Sequence, residues 1–208
     1  MVGAVVSRRR PASTSLVRGA TDYAGRMGIA LVDMDPSGMD RRDLAAFFAR
    51  NRFPFDAVPA TTAEKALARI DRGDFDQNGV TSLWIVDDAG TRLGMVELCA
   101  LGERSPWFEM RLDGRYRGHG LGPEILREIT RRVFTTHPEA VRVEGRTRED
   151  NIAMRQTFVR CGFVKEAHFR EAWPVEGGAP RAGVVYSILR RDWESGAMTP
   201  VRFEDLGY

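Results

Sequence analysis

The chain is short of cysteine, of histidine, of lysine and of long apolar runs. Cys99 and Cys161 are the only cysteines in 208 residues. Both sit inside apolar-patterned runs, so they read as buried free thiols, and a reducing cytoplasm is the expected location. His119, His137 and His168 are scattered, and no cysteine stands at zinc-site spacing from them, so no metal site is expected. No apolar stretch approaches the ~18–20 residues that a membrane helix needs. Val2 to Val6 precedes Arg8 to Arg10, the reverse of the order in a signal peptide. An excess of one charge is missing too. Against 31 basic residues stand 29 acidic ones, a net of +2, which gives no mandate for nucleic acid or a membrane surface. Lysine occurs only at Lys65 and Lys165, so arginine carries nearly all the positive charge; composition alone assigns that bias no partner.

With 43% apolar and 29% charged residues, the composition is that of an ordinary globular protein with room for one sizeable core. Residues 1–27, rich in Ser, Thr, Arg and Gly, read as a mobile tail. One domain is expected over 28–195, and 196–208 as a C-terminal tail. Within the domain, Ile29 to Met34 reads as a strand ended by Asp35-Pro-Ser-Gly38. Asp40 can cap a helix carrying Leu44, Phe47 and Phe48, and Phe53-Pro-Phe55 breaks it. Thr61 or Thr62 can cap a second helix, with Ala66, Leu67 and Ile70 on one face. Three strands follow, Ser82–Val86, Leu93–Leu101 and Trp107–Leu112, the first pair joined through Asp88-Ala-Gly90. A helix carries Leu121, Ile125, Ile129 and Val133. Next come a strand Val141–Arg146, a helix Ile152–Cys161 stopped by Gly162, a strand Phe163 to Phe169, a loop Ala172–Ala182 and a last strand Val184–Leu189. The antiparallel meander and the single crossover predict a mixed α/β (α+β) fold with helices on both faces of one sheet.

The stretch Asp113-Gly-Arg-Tyr-Arg-Gly-His-Gly-Leu-Gly-Pro-Glu124 organises this order. Gly118, Gly120 and Gly122 let the backbone turn tightly and expose its N–H groups, and a helix begins at once with Pro123 in its first turn. Bare N–H groups at the positive end of a helix dipole make an anion site, whose usual occupant is phosphate. A nucleoside-triphosphatase loop would need Gly-Lys-Ser/Thr where Gly122-Pro123-Glu124 stands. A dinucleotide fold would need Gly-x-Gly-x-x-Gly early in a βαβ array, and here a meander comes first. A purely structural turn stays open on the loop alone.

Arg117-Gly-His-Gly-Leu-Gly122 resembles the Arg/Gln-x-x-Gly-x-Gly/Ala signature of the GNAT (Gcn5-related) N-acetyltransferases. Asn151-Ile-Ala-Met-Arg155, Phe158, Cys161-Gly-Phe163, Lys165-Glu166, Arg170-Glu-Ala-Trp173 and Tyr186 to Trp193 (the last taken as the closing strand) resemble the ribosomal-protein-type, Rim-like branch. The resemblance implies a GNAT fold: a mostly antiparallel sheet of about six to seven strands, splayed in the middle. It implies acetyl-CoA as cosubstrate. The pyrophosphate would be held by Gly118, Gly120, Leu121 and Gly122, flanked by Arg117 and His119. Met110 and Leu112 would lie along the pantetheine arm, with Asn151, Arg155 and Phe158 completing the cofactor site. Asn151 also reads as a plain helix cap, and both roles are compatible. Transfer would be direct, to a primary amine of a small molecule or a protein N-terminus, with no nucleic acid or membrane partner; assembly as a homodimer is open.

Two departures matter. The family's tyrosine seven residues after the asparagine is Phe158 here, and the branch's serine three residues after it is Met154, so both expected donors to the leaving thiolate are absent. Glu109 is the first candidate base and Glu171 the second; Glu144 is also on a strand beside the cleft. The same departures support the alternative of a catalytically weak acyl-CoA-binding sensor or interaction module. A nucleotide-binding regulatory domain is the weakest alternative.

Overall fold

A computed structural model describes residues 28–202 apart from Asn78. The expected tail 1–27 and the end of the C-terminal tail, 203–208, lie outside the described residues. Seven strands form one sheet: β1 (Ile29–Asp33), β2 (Val80–Asp87), β3 (Arg92–Cys99), β4 (Trp107–Leu112), β5 (Arg142–Arg148), β6 (Val164–Trp173) and β7 (Arg181–Leu189). Their order is β1-β2-β3-β4-β5-β7-β6, and every pairing is antiparallel except β4 with β5. Among the described residues five α-helices complete it: α1 (Arg41–Arg50), α2 (Ala63–Asp71), α3 (Gly122–Thr136), α4 (Ile152–Arg160) and α5 (Arg190–Ser195). No described helix is long and apolar enough to cross a membrane.

Strand alternation divides the core between the two faces. Leu83 and Ile85 pack with Ile125, Ile129 and Val133 of α3 and Phe158 of α4. The intervening Trp84, with Met95, packs with Leu44, Phe47 and Phe48 of α1 and Ile70 of α2. Each such side chain, taken fully out of water, contributes roughly 1.5–3 kcal/mol, and a period of two in the strands puts helices on both faces.

The caps only partly follow the sequence reading. Thr62 accepts from Lys65 N at 3.3 Å and starts α2. Asp40 stands at the head of α1 but makes no cap. Its carboxylate accepts instead from Asp35 N at 3.0 Å and from Arg92 Nη2 at 2.6 Å, tying the turn before α1 to β3. Asn151 accepts from Met154 N at 3.2 Å and starts α4, and Gly162, at φ +81°, ends it.

The C-terminal third differs more. β6 continues past Phe169 to Trp173, and the expected loop of residues 172–182 shrinks to residues 174–180. A bulge absorbs the mismatch, with Glu171 at φ +54°, and pairing resumes at Trp173 with Arg181. The last strand ends at Leu189 as the residue pattern expects, and α5 follows where the resemblance implied a closing strand to Trp193. The cause is visible in Arg190, whose guanidinium donates to the carbonyls of Phe134, His137 and Ala140 at 2.7–2.9 Å. The guanidinium thus adds partners to carbonyls at and beyond the end of α3, where the helix leaves them unpaired or, at His137, paired once to Ala140 N. Trp193 then packs on Phe134 with ring centroids 5.2 Å apart.

Candidate functional site

The site forms where the sheet opens. β4 and β5 are paired only at Trp107 with Glu144 and Phe108 with Gly145; beyond that they diverge. Met110 and Leu112 stay registered with β3 on their other side, opposite Val96 and Gly94. The β5-facing edge of β4 past Phe108 is therefore unpaired. Gly145 sits at the divergence. A Cβ there would lie 2.4 Å from the Phe158 ring and 2.9 Å from the Phe108 ring, so the two aromatics occupy the space a side chain would take.

The glycine loop lies next to the open edge. Gly118 and Gly120 hold φ of +77° and +78°, a left-handed conformation costly to other residues, and each faces open space. Leu121 is buried and anchors the loop in the core under α3. Arg117 is turned inward. Its Nε donates to Leu112 O at 2.8 Å and its Nη1 to Arg52 O at 2.6 Å, with the guanidinium stacked over Phe53. Burial lowers its pKa below the ordinary arginine value, and Nη2 is buried without a partner. Arg117 thus fastens the loop to the end of β4.

Two cavities meet at the opening. One, of about 510 Å³, runs from Met110 and Leu112 along Arg117, Gly118, Gly120 and Gly122 to Thr157. The other, of about 520 Å³, is walled by Trp107, Glu109, Arg146, Thr147 and Trp173. They share Phe55, Asp56, Met110, Arg111, Asn151 and Met154. Asn151 is fixed at this junction by its cap and by donating to Thr147 Oγ1 at 2.9 Å.

Not every expected residue reaches the cavities. Glu109 does, half-exposed and paired with Arg111 Nη2 at 2.6 Å. Glu171 is exposed on the bulge and lines neither cavity, though its neighbours Ala172 and Trp173 line the second. Glu144 pairs with Arg142 at 3.2 Å and faces a separate hollow of about 470 Å³ on the far part of the sheet. Arg155 turns to Glu149 O at 2.7 Å, and Phe158 has no exposed surface and stacks on Tyr186 at 4.8 Å, so these two side chains face away from the groove. His119 lies on the loop and is not among the cavity-lining residues. Burial pushes the Cys99 thiol up to about 12 and raises Cys161 as well, so neither serves as a nucleophilic thiolate. Among the described residues no cluster of His, Cys, Asp or Glu could hold a metal ion.

Sequence reasoning missed the cluster that floors the second cavity. Arg111 donates to Asp56 Oδ2 at 2.8 Å, Glu97 Oε1 at 2.7 Å and Glu109 Oε2 at 2.6 Å. One buried guanidinium therefore faces three carboxylates. It also missed the turn Phe53 to Val58, read only as a helix breaker. Phe55 and Asp56 wall both cavities, and Trp173 Nε1 donates to Phe55 O at 2.8 Å. The one local signal was the charge at alternating positions, Glu109 and Arg111, on a strand otherwise apolar.

Comparison with known proteins agrees with this geometry. Residues 30–164 match the family model described as the acetyltransferase (GNAT) domain. No curated protein sequence matches significantly. Among solved structures, a spermidine N-acetyltransferase from Vibrio cholerae, in complex with CoA and spermine, superposes with a TM-score of 0.67 at 18% identity, covering 80% of this chain and 98% of that one. A structure described as a probable acetyltransferase superposes with a TM-score of 0.64 at 22% identity, covering 80% and 95%. At these identities the superpositions speak to the fold, and the match over residues 30–164 speaks to the family. The chain belongs to the GNAT acetyltransferase family.

Proposed function

We propose that the protein is an acetyl-CoA-dependent N-acetyltransferase that passes the acetyl group directly to the amine of a small molecule. The observation that carries this reading is the open edge of β4 at Met110 to Leu112, continuous with a loop of left-handed glycines at the head of α3. The loop N–H groups suit a pyrophosphate, and the unpaired strand edge suits an extended amide-bearing arm, which would add to it as a further strand. Met110, Leu112, Gly118, Gly120, Leu121, Gly122 and Asn151 would hold acetyl-CoA, whose thioester supplies the activated acetyl group. Arg117 and His119 belong to the same loop, and we keep them as its phosphate-side residues.

The second cavity takes the acceptor. The cluster at its floor sets three carboxylates, Asp56, Glu97 and Glu109, on the one guanidinium of Arg111, which favours an ammonium ion in a partly desolvated site; Arg69, tied to Asp74, and Arg146, stacked on Trp107, also line the cavity. Glu109 is the carboxylate with the most exposure, at 44% of its side chain, and we assign it as the base that removes a proton from the acceptor. Glu171 ranks second, because it would have to move from the bulge into the cavity. With Phe158 buried and Met154 carrying no proton, solvent is the donor to the leaving thiolate. The resemblance of the motifs from Asn151 to Trp173 supports membership in the Rim-like branch. Cys99 and Cys161, unpaired, suit a cytoplasmic setting. A homodimer is compatible with this reading and is not required by it.

The test is CoA release with purified protein, acetyl-CoA and a panel of spermidine, tyramine and a peptide with a free N-terminus. Turnover with an amine is expected, and Glu109→Gln should lower kcat about 100-fold with acetyl-CoA affinity retained, in line with the loss of one general base. Tight acetyl-CoA binding without turnover across a broad amine panel would replace the enzyme with a sensor.

A further inference from the structure

Beneath the second cavity lies a buried charged group that acetyl transfer as described does not use. Glu97 lies on β3 directly across from Glu109 on β4, in a register that places their side chains on one face of the sheet. Two carboxylates opposed in this way repel each other. Arg111 separates them, and the same guanidinium takes Asp56 from the turn after α1. Glu97 is the innermost of the three, with 9% of its side chain exposed against 30% for Asp56 and 44% for Glu109. From α2, Arg69 adds a weaker positive influence, but its guanidinium is committed to Asp74 at 3.1 Å and to the rings of Phe48 and Phe75. The cluster thus has one fully shared cation for three potential anions.

We propose that Glu97 is a specificity-determining residue for the acceptor: its carboxyl shares Arg111 with Asp56 and Glu109, and the single charge it adds or withholds sets how strongly the cavity draws a cationic amine. The proposal rests on the reading of this cavity as the acceptor site. Its basis is the geometry of three carboxylates on one guanidinium, with the hidden one placed beneath the two that line the wall.

Burial places the change in a useful range. It pushes the Glu97 carboxyl up to about 7, with Glu109 and Asp56 adding to the shift and Arg111 and Arg69 opposing it. Below that value Glu97 is neutral and Arg111 is left to Asp56 and Glu109, so the two visible carboxylates are largely neutralised. Above it Glu97 is an anion and competes for Arg111, and the cavity carries one more negative charge. A cationic amine is held more tightly in the second state. By reciprocity, a bound amine favours the ionised form of Glu97. The donor's cavity shares Asp56 and Arg111 with the acceptor cavity but not Glu109, and its pyrophosphate would sit at the glycine loop, where no residue of the cluster lies.

Steady-state kinetics between pH 6 and 8, using the fastest amine of the panel above, test the proposal. In the wild type, KM for the amine should fall about fivefold as pH rises across this range, while KM for acetyl-CoA stays level. Glu97→Gln keeps an oxygen for Arg111 but cannot ionise. Its amine KM should stay at the wild-type low-pH value throughout, and Glu97→Asp should restore the pH dependence. An amine KM in Glu97→Gln that still falls with pH as in the wild type overturns the proposal.

Carboxyl-carbon NMR of glutamate-labelled wild-type protein gives a second test that needs neither turnover nor a stable variant. A buried glutamate should titrate near 7, and saturating spermidine should lower its midpoint. A midpoint indifferent to spermidine overturns the proposal even if no amine is turned over. Failure of acetyl-CoA to bind would instead overturn the acetyltransferase reading.

Discussion

Glu97 and Arg111 set both the chemistry and a stability cost. The raised Glu97 carboxyl makes the folded protein hold a proton that the unfolded chain has released, over the interval from its ordinary value of 4.5 to about 7. Stability from this group is therefore full below about pH 4.5 and is lost as pH rises through 7. A shift of this size corresponds to roughly 3 kcal/mol, distributed over that interval. Asp113 works in the opposite sense. Hydrogen bonds from Arg115, Arg50 and Asn51 hold its carboxyl well below the usual carboxylate range, so its contribution disappears only in acid. Melting curves from pH 5 to 8 separate the two. The wild type should lose several degrees across this range, and Glu97→Gln should flatten the loss and melt higher than the wild type at pH 8. Equal slopes in both proteins would contradict the assignment of a buried, protonated Glu97. None of this was legible in the sequence, because Asp56 lies 55 residues from Arg111 and the cluster exists only once β3 and β4 are paired.

At the scale of elements, the site depends on where β4 and β5 part. Periodicity found both strands and the helices around them, because those signals are local. It gave no sign of the parting, which comes directly after the Phe108–Gly145 pair, where the rings of Phe108 and Phe158 fill the side-chain space of Gly145. Gly145→Ala should push Phe108 and Phe158 out of register and destabilise the protein by about 2–3 kcal/mol, as overpacking of a tight core does. Urea unfolding measures this directly; an unchanged midpoint would show that the space around Gly145 yields without cost. The ends of elements were the least legible. Asp40 has the residue type and position of a helix cap, yet Arg92, 52 residues away, claims its carboxylate. The last strand ends at Leu189 as its pattern expects, but the resemblance's closing strand to Trp193 is replaced by α5, where Arg190 turns to the C-terminal carbonyls of α3.

Across the whole molecule, one sheet brings three distant segments to a single opening. The glycine loop and α3 supply an anion site, the turn Phe53 to Val58 roofs both cavities, and the end of β6 closes the outer side through Trp173. The loop was readable from its glycines and the helix that follows, because both act through backbone geometry within a dozen residues. The roof was not, since a Phe-Pro-Phe break carries no sign of what it covers. The central claim is that the loop and the open edge of β4 hold acetyl-CoA. Gly120→Glu tests it with little risk to the fold, because the position faces open space, although φ of +78° adds some backbone strain. Calorimetric titration of acetyl-CoA into both proteins should show binding by the wild type and at least a 100-fold weaker affinity in the variant, with NAD failing to bind either. Equal acetyl-CoA affinity in a folded Gly120→Glu protein would contradict the account.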